Sequence, residues 1–154
     1  MSDLSFKWDE RYLRLAREVS TWSKDPSTQV GAVAVGEKGQ VLSQGYNGFP
    51  RGIADNKERY NEKEIKYRYV VHAEMNCVYN AAMNGVSLKG ATMYVYGLPM
   101  CNECAKCVVQ VGMIRVVSPF TGGIEVPEKW KISCAHTQNL LKEVGIPYQF
   151  IKIK

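Results

Sequence analysis

Two short clusters of metal-seeking side chains, His72-Ala73-Glu74 and Cys101-Asn102-Glu103-Cys104, constrain the folding of this chain more than any other feature. Cysteines separated by two residues can both reach one tetrahedral ion, and His72 supplies a third ligand while a fourth position stays open to water. On a regular helix, residues two apart point in different directions, so His72 and Glu74 converge only where His72 sits at or just before the first turn. The same reasoning puts Cys101 and Cys104 at the start of a second helix, whose unpaired amides and positive dipole end favour the thiolate that a metal requires. Two helix starts, distant in sequence, must therefore face one point. An open coordination position signals chemistry, and a carboxylate at Glu74 can take a proton there and pass it to a substrate.

A lone Cys-x-x-Cys also fits a structural zinc knuckle or a redox pair. A closed structural site needs a fourth ligand, for which Cys107, Cys134 and His136 are candidates, but a second Cys-x-x-Cys is missing. The run Cys101, Cys104, Cys107 also admits iron–sulfur ligation, although such clusters usually want four cysteines in a recognised spacing. Cys107 and Cys77 read as buried small hydrophobes. His136, in a polar stretch, reads as exposed.

The 154 residues fit a single domain, 1–154, large enough for a continuous core without disulfide staples. Five cysteines, an odd number, and an N-terminus without a secretory apolar run point to a reducing, cytoplasmic setting. No stretch approaches the roughly 20 apolar residues that cross a bilayer, so a soluble protein is expected. The net charge of +5 is modest, and between Lys57 and Arg68 the charges alternate in sign, the pattern of a solvated face. A clustered basic stripe is absent, so nucleic acid is not the expected partner.

Trp8, Tyr12, Leu15, Val19 and Trp22 recur at helical steps and predict a first helix from Lys7 to Trp22 with these residues on one face. After the Asp25-Pro26-Ser27 break, Val30 to Val35 and Gln40 to Gln44 read as a β-hairpin. Gly45 to Gly52, with three glycines and a proline, reads as a loop. A helix is predicted from Ala73 to Met83, capped near Asn84-Gly85. Strands are predicted at Thr92 to Tyr96, Ile114 to Val117 and Tyr148 to Ile153, with helices at Cys101 to Gln110 and His136 to Val144. The order αββαβαβαβ argues for a three-layer α/β domain whose mixed sheet takes its antiparallel part from the hairpin.

The His-x-Glu cluster followed by Cys-x-x-Cys resembles the signature of the zinc-dependent nucleobase deaminases. More narrowly, the segments 24–32, 45–50, 67–76 and 101–106 resemble deoxycytidylate (dCMP) deaminases, with a motif core at about 24–118. The resemblance implies a three-layer α-β-α cytidine deaminase-like fold with a five-stranded mixed sheet. It implies a hydrolase that converts dCMP to dUMP and ammonia, supplying dUMP for thymidylate synthesis, with Zn²⁺ held by His72, Cys101 and Cys104 and Glu74 as the catalytic residue. It further implies that the Ala73 amide holds the pyrimidine carbonyl and that Asn47 contacts sugar or base. Lys24, Ser27 and Thr28 are candidates for the phosphate, since hydroxyls and a cation on one loop suit a monophosphate. Many dCMP deaminases are homohexamers activated by dCTP and inhibited by dTTP. The loop carrying Tyr46, Gly48, Phe49 and Arg51 resembles the part linked to that regulatory nucleotide, which Mg²⁺ accompanies.

The chain departs from the family pattern where Met100 separates Pro99 from Cys101, a change expected at the rim of the cavity. Asn47 has a second reading as a turn residue with positive φ beside Gly48. Rival functions are a tRNA-type nucleic-acid deaminase, which would want a basic groove, and a catalytically silent nucleotide sensor with structural zinc. Residues 119–130 resemble nothing assignable.

Overall fold

Strand β1 (Gly31–Val35) is buried along its whole length and alternates its side chains between two cores. Ala32 and Ala34 join Met93, Val95 and Val116 on one face, while Val33 and Val35 join Tyr94 and Val117 on the other. That period of two, with both faces covered, is what a central strand requires. The computed structural model describes residues 6–120 and 128–153. The expectations for the N-terminal start and for most of 119–130 lie outside them.

Around β1 the sheet runs β2-β1-β3-β4-β5, with β2 (Val41–Tyr46), β3 (Thr92–Tyr96), β4 (Arg115–Pro119) and β5 (Tyr148–Ile151). β1 is antiparallel to β2 and β3, whereas β3, β4 and β5 are parallel, so the expected five-stranded mixed sheet is present. Helix α1 (Lys7–Ser20) covers one face through Leu13, Ala16 and Val19. Helices α4 (Ala73–Met83) and α5 (Asn102–Gln110) cover the other, joined by Leu141 of α6 (Glu128–Val144). Three layers result. No helix among the described residues is long and apolar enough to cross a membrane.

Several local expectations need correction. The buried stripe of α1 is Asp9, Leu13, Ala16, Val19 and Ser20, while Trp8, Leu15 and Trp22 are exposed. Two short helices, α2 (Lys57–Asn61) and α3 (Lys63–Tyr69), occupy the mixed-charge stretch and were not expected. That stretch is not wholly solvated, because Lys66 pairs with the buried Asp25 at 2.9 Å. Helix α6 starts at Glu128 rather than His136. Gly45 belongs to the edge strand β2, where an added Cβ would collide with Cys77 N and Ala73 O of α4. Only glycine lets the site helix lie this close to the sheet. At its other end α4 closes as expected: Gly85 at φ 67° follows the Asn84 cap, and Val86 N–H bonds Ala81 O at 2.9 Å.

Candidate metal centre and its cavity

His72 is the N-cap of α4 and Cys101 the N-cap of α5, so the two helix starts do face one point. His72 Nδ1 lies 3.4 Å from Cys101 Sγ and 3.4 Å from Cys104 Sγ, and all three atoms fall within 4.8 Å of one another. A tetrahedral zinc with bonds of about 2.3 Å to sulfur and 2.05 Å to nitrogen would set those N···S edges at about 3.6 Å. The donor set fits zinc by both chemistry and spacing. Glu74, Cys107, Cys134 and His136 stand outside the group.

The Cys104 thiol donates to Cys101 and, against the opposing effect of burial and with help from His72, holds the Cys101 thiol down at about 4. Cys104 is pushed upward by that same bond and by burial. His72 is raised, chiefly by its bond to Cys101, although burial opposes the change. A metal bound there would take thiolate sulfurs and an unprotonated imidazole nitrogen, so its binding would release protons. Cys77 is core as expected, with burial pushing its thiol up to about 12, and His136 is exposed.

Glu74, one residue beyond Ala73 in the first turn of α4, is almost fully buried. Burial raises its carboxyl to about 7 despite the His72 charge. Together with His72, Ala73 and Cys101 it lines a cavity of about 480 Å³. Asn47, Ser27 and Thr28 line the same cavity, but Lys24 does not. Lys24 is exposed and paired with Asp55 at 3.1 Å. Asn47 Oδ1 accepts from Val30 N–H at 2.8 Å, and Nδ2 donates to Thr28 O at 2.9 Å and Asp25 Oδ2 at 3.4 Å. No non-glycine residue among those described has positive φ, so the turn reading of Asn47 is corrected.

The cavity also contains residues that sequence reasoning missed. Lys63, Lys66 and Tyr67 come from α3, and Lys129 and Trp130 from the first turn of α6. Lys129 Nζ donates to Tyr67 Oη at 2.8 Å, bridging the two helices across the cavity. Mixed charge hid the first group and the absence of apolar periodicity hid the second. Met100 does not reach the rim, because its side chain is fully buried in the core.

Tyr46, Gly48, Phe49 and Arg51 lie outside the cavity lining. Gly48 exchanges both backbone bonds with Val71, at 3.1 and 2.8 Å, and Phe49 stacks on Tyr60 with centroids 4.3 Å apart. Arg51 Nη2 donates to Asn80 Oδ1 of α4 at 2.7 Å. Tyr46 meets Trp22 edge-on at 6.1 Å.

A sequence model of the cytidine and deoxycytidylate deaminase zinc-binding region matches residues 6–119. The chain is 40% identical to deoxycytidylate deaminase of Mus musculus over 129 residues, covering 76% of this chain and 71% of the mouse protein. It is 33% identical over 147 residues to an uncharacterised deaminase of Aliivibrio fischeri, covering 96% and 95% of the two chains. Its fold is similar to that of dCMP deaminase from the cyanophage S-TIM5 in apo form. That likeness has a TM-score of 0.72 at 22% identity and covers 98% of this chain and all 100% of the phage chain.

Proposed function

Since the chain belongs to the cytidine and deoxycytidylate deaminase zinc-binding family, we propose that it hydrolyses dCMP to dUMP and ammonia with Zn²⁺ held by His72, Cys101 and Cys104. The observation that carries this reading is the convergence of three ligand atoms beside a buried carboxylate in one cavity. Zinc bound there lowers the pKa of coordinated water from about 16 toward neutrality. Glu74, with a carboxyl near 7, is suited both to accept a proton at a carboxylate oxygen and to give it up. It delivers protons to N3 of the cytosine and then to the departing amine. Water adds at C4, the bond from C4 to the exocyclic nitrogen breaks, and ammonia leaves.

The remaining walls suit the rest of the nucleotide. Ala73, first residue of α4, has an amide without an intrahelical partner and can donate to the pyrimidine carbonyl. Asn47 faces the sugar or base while its bonds fix the Thr28–Val30 wall. For the phosphate, the hydroxyls of Ser27 and Thr28 are joined by Lys63, Lys66 and Lys129 in place of Lys24. Three cations against the carboxylates of Asp25 and Glu74 leave this wall net positive for a dianionic group.

The same reading extends to the reducing cytoplasm, supported by five cysteines that all remain free. It also includes a homohexamer regulated by dCTP and dTTP with Mg²⁺, at the segment of Tyr46, Gly48, Phe49 and Arg51 at and beyond the end of β2, which lies apart from the cavity lining. A rate-versus-dCMP curve unmoved by saturating dTTP would remove the regulatory part alone. The catalytic part is tested by ammonia release from dCMP, CMP, deoxycytidine and a short cytosine-containing single strand. dCMP is expected to lead, and preference for the strand would favour a nucleic-acid deaminase. Glu74→Gln is expected to retain zinc and lose at least about 10²-fold in turnover. Normal turnover in that variant would sink the assignment.

A further inference from the structure

Helix α6 presents Trp130, Ser133, Thr137 and Leu141 on one face, at steps of three and four. Trp130 reaches the cavity and Leu141 the apolar core, while the two hydroxyls between them meet the chain on either side of Cys101. Thr137, fully buried, donates from Oγ1 to Met100 O at 2.9 Å. Ser133 Oγ accepts from Asn102 N–H at 3.0 Å and donates to Asn102 Oδ1 at 2.7 Å. From the strand side, Tyr148 Oη accepts from Met100 N–H at 3.1 Å.

These bonds bracket a single residue. The Met100 carbonyl belongs to the peptide unit before Cys101, and the Asn102 amide to the peptide unit after it. The torsions φ and ψ of Cys101, −78° and 163°, are the rotations of those two planes about its Cα. Anchoring both planes fixes both rotations, and with them the direction of the Cα–Cβ bond from which Sγ hangs, while Cys104 N–H meets Sγ itself at 3.5 Å. We propose that Ser133 and Thr137, assisted by Tyr148, are positioning residues that aim the Cys101 sulfur at the metal. Neither hydroxyl bonds a ligand atom, so both act through the backbone. Metal ligands must be held within about 0.5 Å of their working geometry by their surroundings. Cys101 precedes the first helical residue of α5: its own carbonyl accepts from Ala105 N–H at 3.0 Å, whereas the peptide unit before it has no intrahelical bond and depends on the ties to Met100.

The bonds also explain how the extra residue before Cys101 is accommodated. Met100 has its N–H and C=O tied from β5 and α6 while its side chain fills the core. The loop is pinned to the scaffold rather than left to the rim.

The inference rests on the zinc reading above, and its test separates the two. Zinc affinity is measured by chelator competition on the full chain, and the Co²⁺-substituted protein is examined by visible absorption. Thr137→Val and Ser133→Ala are each expected to weaken zinc about tenfold and to alter the cobalt bands, and Thr137→Ser to restore both. A merely structural role predicts lower melting temperatures with affinity and cobalt spectrum unchanged, and that result overturns the proposal. If Thr137→Val does not fold, Ser133→Ala at its half-buried position decides by the same readouts. A parent protein that takes up no zinc overturns the metal reading and this proposal with it. Normal zinc uptake with indifferent variants overturns this proposal alone.

Discussion

The Trp130 indole stands edge-on to the His72 imidazole, with ring centroids 6.5 Å apart and planes at 82°. The first turn of α6 thereby closes the cavity beside the start of α4, and Trp130 bounds the space a base would fill. Trp130→Ala is expected to lose aromatic contact worth about 1–1.5 kcal/mol, or roughly tenfold in kcat/KM for dCMP. Zinc content should not change, because the indole is not a ligand. Steady-state kinetics with metal analysis checks both, and an unaltered kcat/KM would take Trp130 out of the site.

Lys63 and Lys129 are the cavity cations best suited to a phosphate test, since Lys66 is committed to Asp25. Removing Lys66 would leave a buried carboxylate unpaired and confuse binding with folding. A charge-assisted hydrogen bond is worth about 1.5–3 kcal/mol, so Lys63→Ala and Lys129→Ala should each lower kcat/KM for dCMP by about tenfold or more. Deoxycytidine, lacking the phosphate, should be turned over as by the parent protein. Equal losses on both substrates would show that the lysines support the cavity rather than the phosphate.

The helix from Ala73 to Met83 and the strand from Thr92 to Tyr96 were legible to the residue. Their signals are local: a glycine stop for the first and a compact apolar run for the second. The convergence of His72, Cys101 and Cys104 was legible for a related reason, since their spacing restricts where such side chains can sit. The face of α1 was not. Its aromatic residues looked like the buried stripe, yet the helix buries Asp9 through a pairing with Arg115, 106 positions away, which no local pattern announces. Helix α6 escaped in its first half because Ser133 faces the amide and side-chain oxygen of Asn102 rather than an apolar core. Lys66 looked solvated because its partner Asp25 lies 41 residues earlier. Sequence patterning shows what packs apolar; polar burial depends on partners brought by the fold.

The Asp9–Arg115 pair gives a pH-dependent consequence. Arg115 Nη1 and Nη2 donate to the two Asp9 oxygens at 2.7 and 2.8 Å, and Tyr94 Oη also donates to Oδ1. Burial acts to raise the Asp9 carboxyl, but these hydrogen bonds and the Arg115 charge outweigh it and hold the group below its usual range. A lowered folded pKa means stability that is present above the unfolded value of about 3.9 and lost as pH falls through the folded one. Arg115→Met leaves the carboxylate buried with only Tyr94, and should cost about 3 kcal/mol at pH 7. With burial then dominant, the Asp9 pKa rises above its unfolded value and protonation stabilises the variant. The stability gap should therefore narrow from pH 7 toward pH 5. Urea unfolding at the two values measures it, and a constant gap would contradict the charge argument.

Gly45 links the edge strand to the candidate metal centre. An added Cβ would meet Cys77 N and Ala73 O, so Gly45→Ala must push α4 away from β2 at its first turn. Overpacking of this kind costs about 1–3 kcal/mol. Displacement of Ala73 moves its neighbours His72 and Glu74 together, which should weaken zinc binding and lower kcat even at saturating metal. A misplacement of about 1 Å in such a group costs on the order of 10²-fold in rate, so the kinetic loss should exceed what the fall in stability predicts. Chelator competition, kcat at saturating zinc and urea midpoints on the same preparation separate these effects. A Gly45→Ala protein with parental zinc affinity and turnover would show that the close approach of α4 to β2 does not set the geometry of the site.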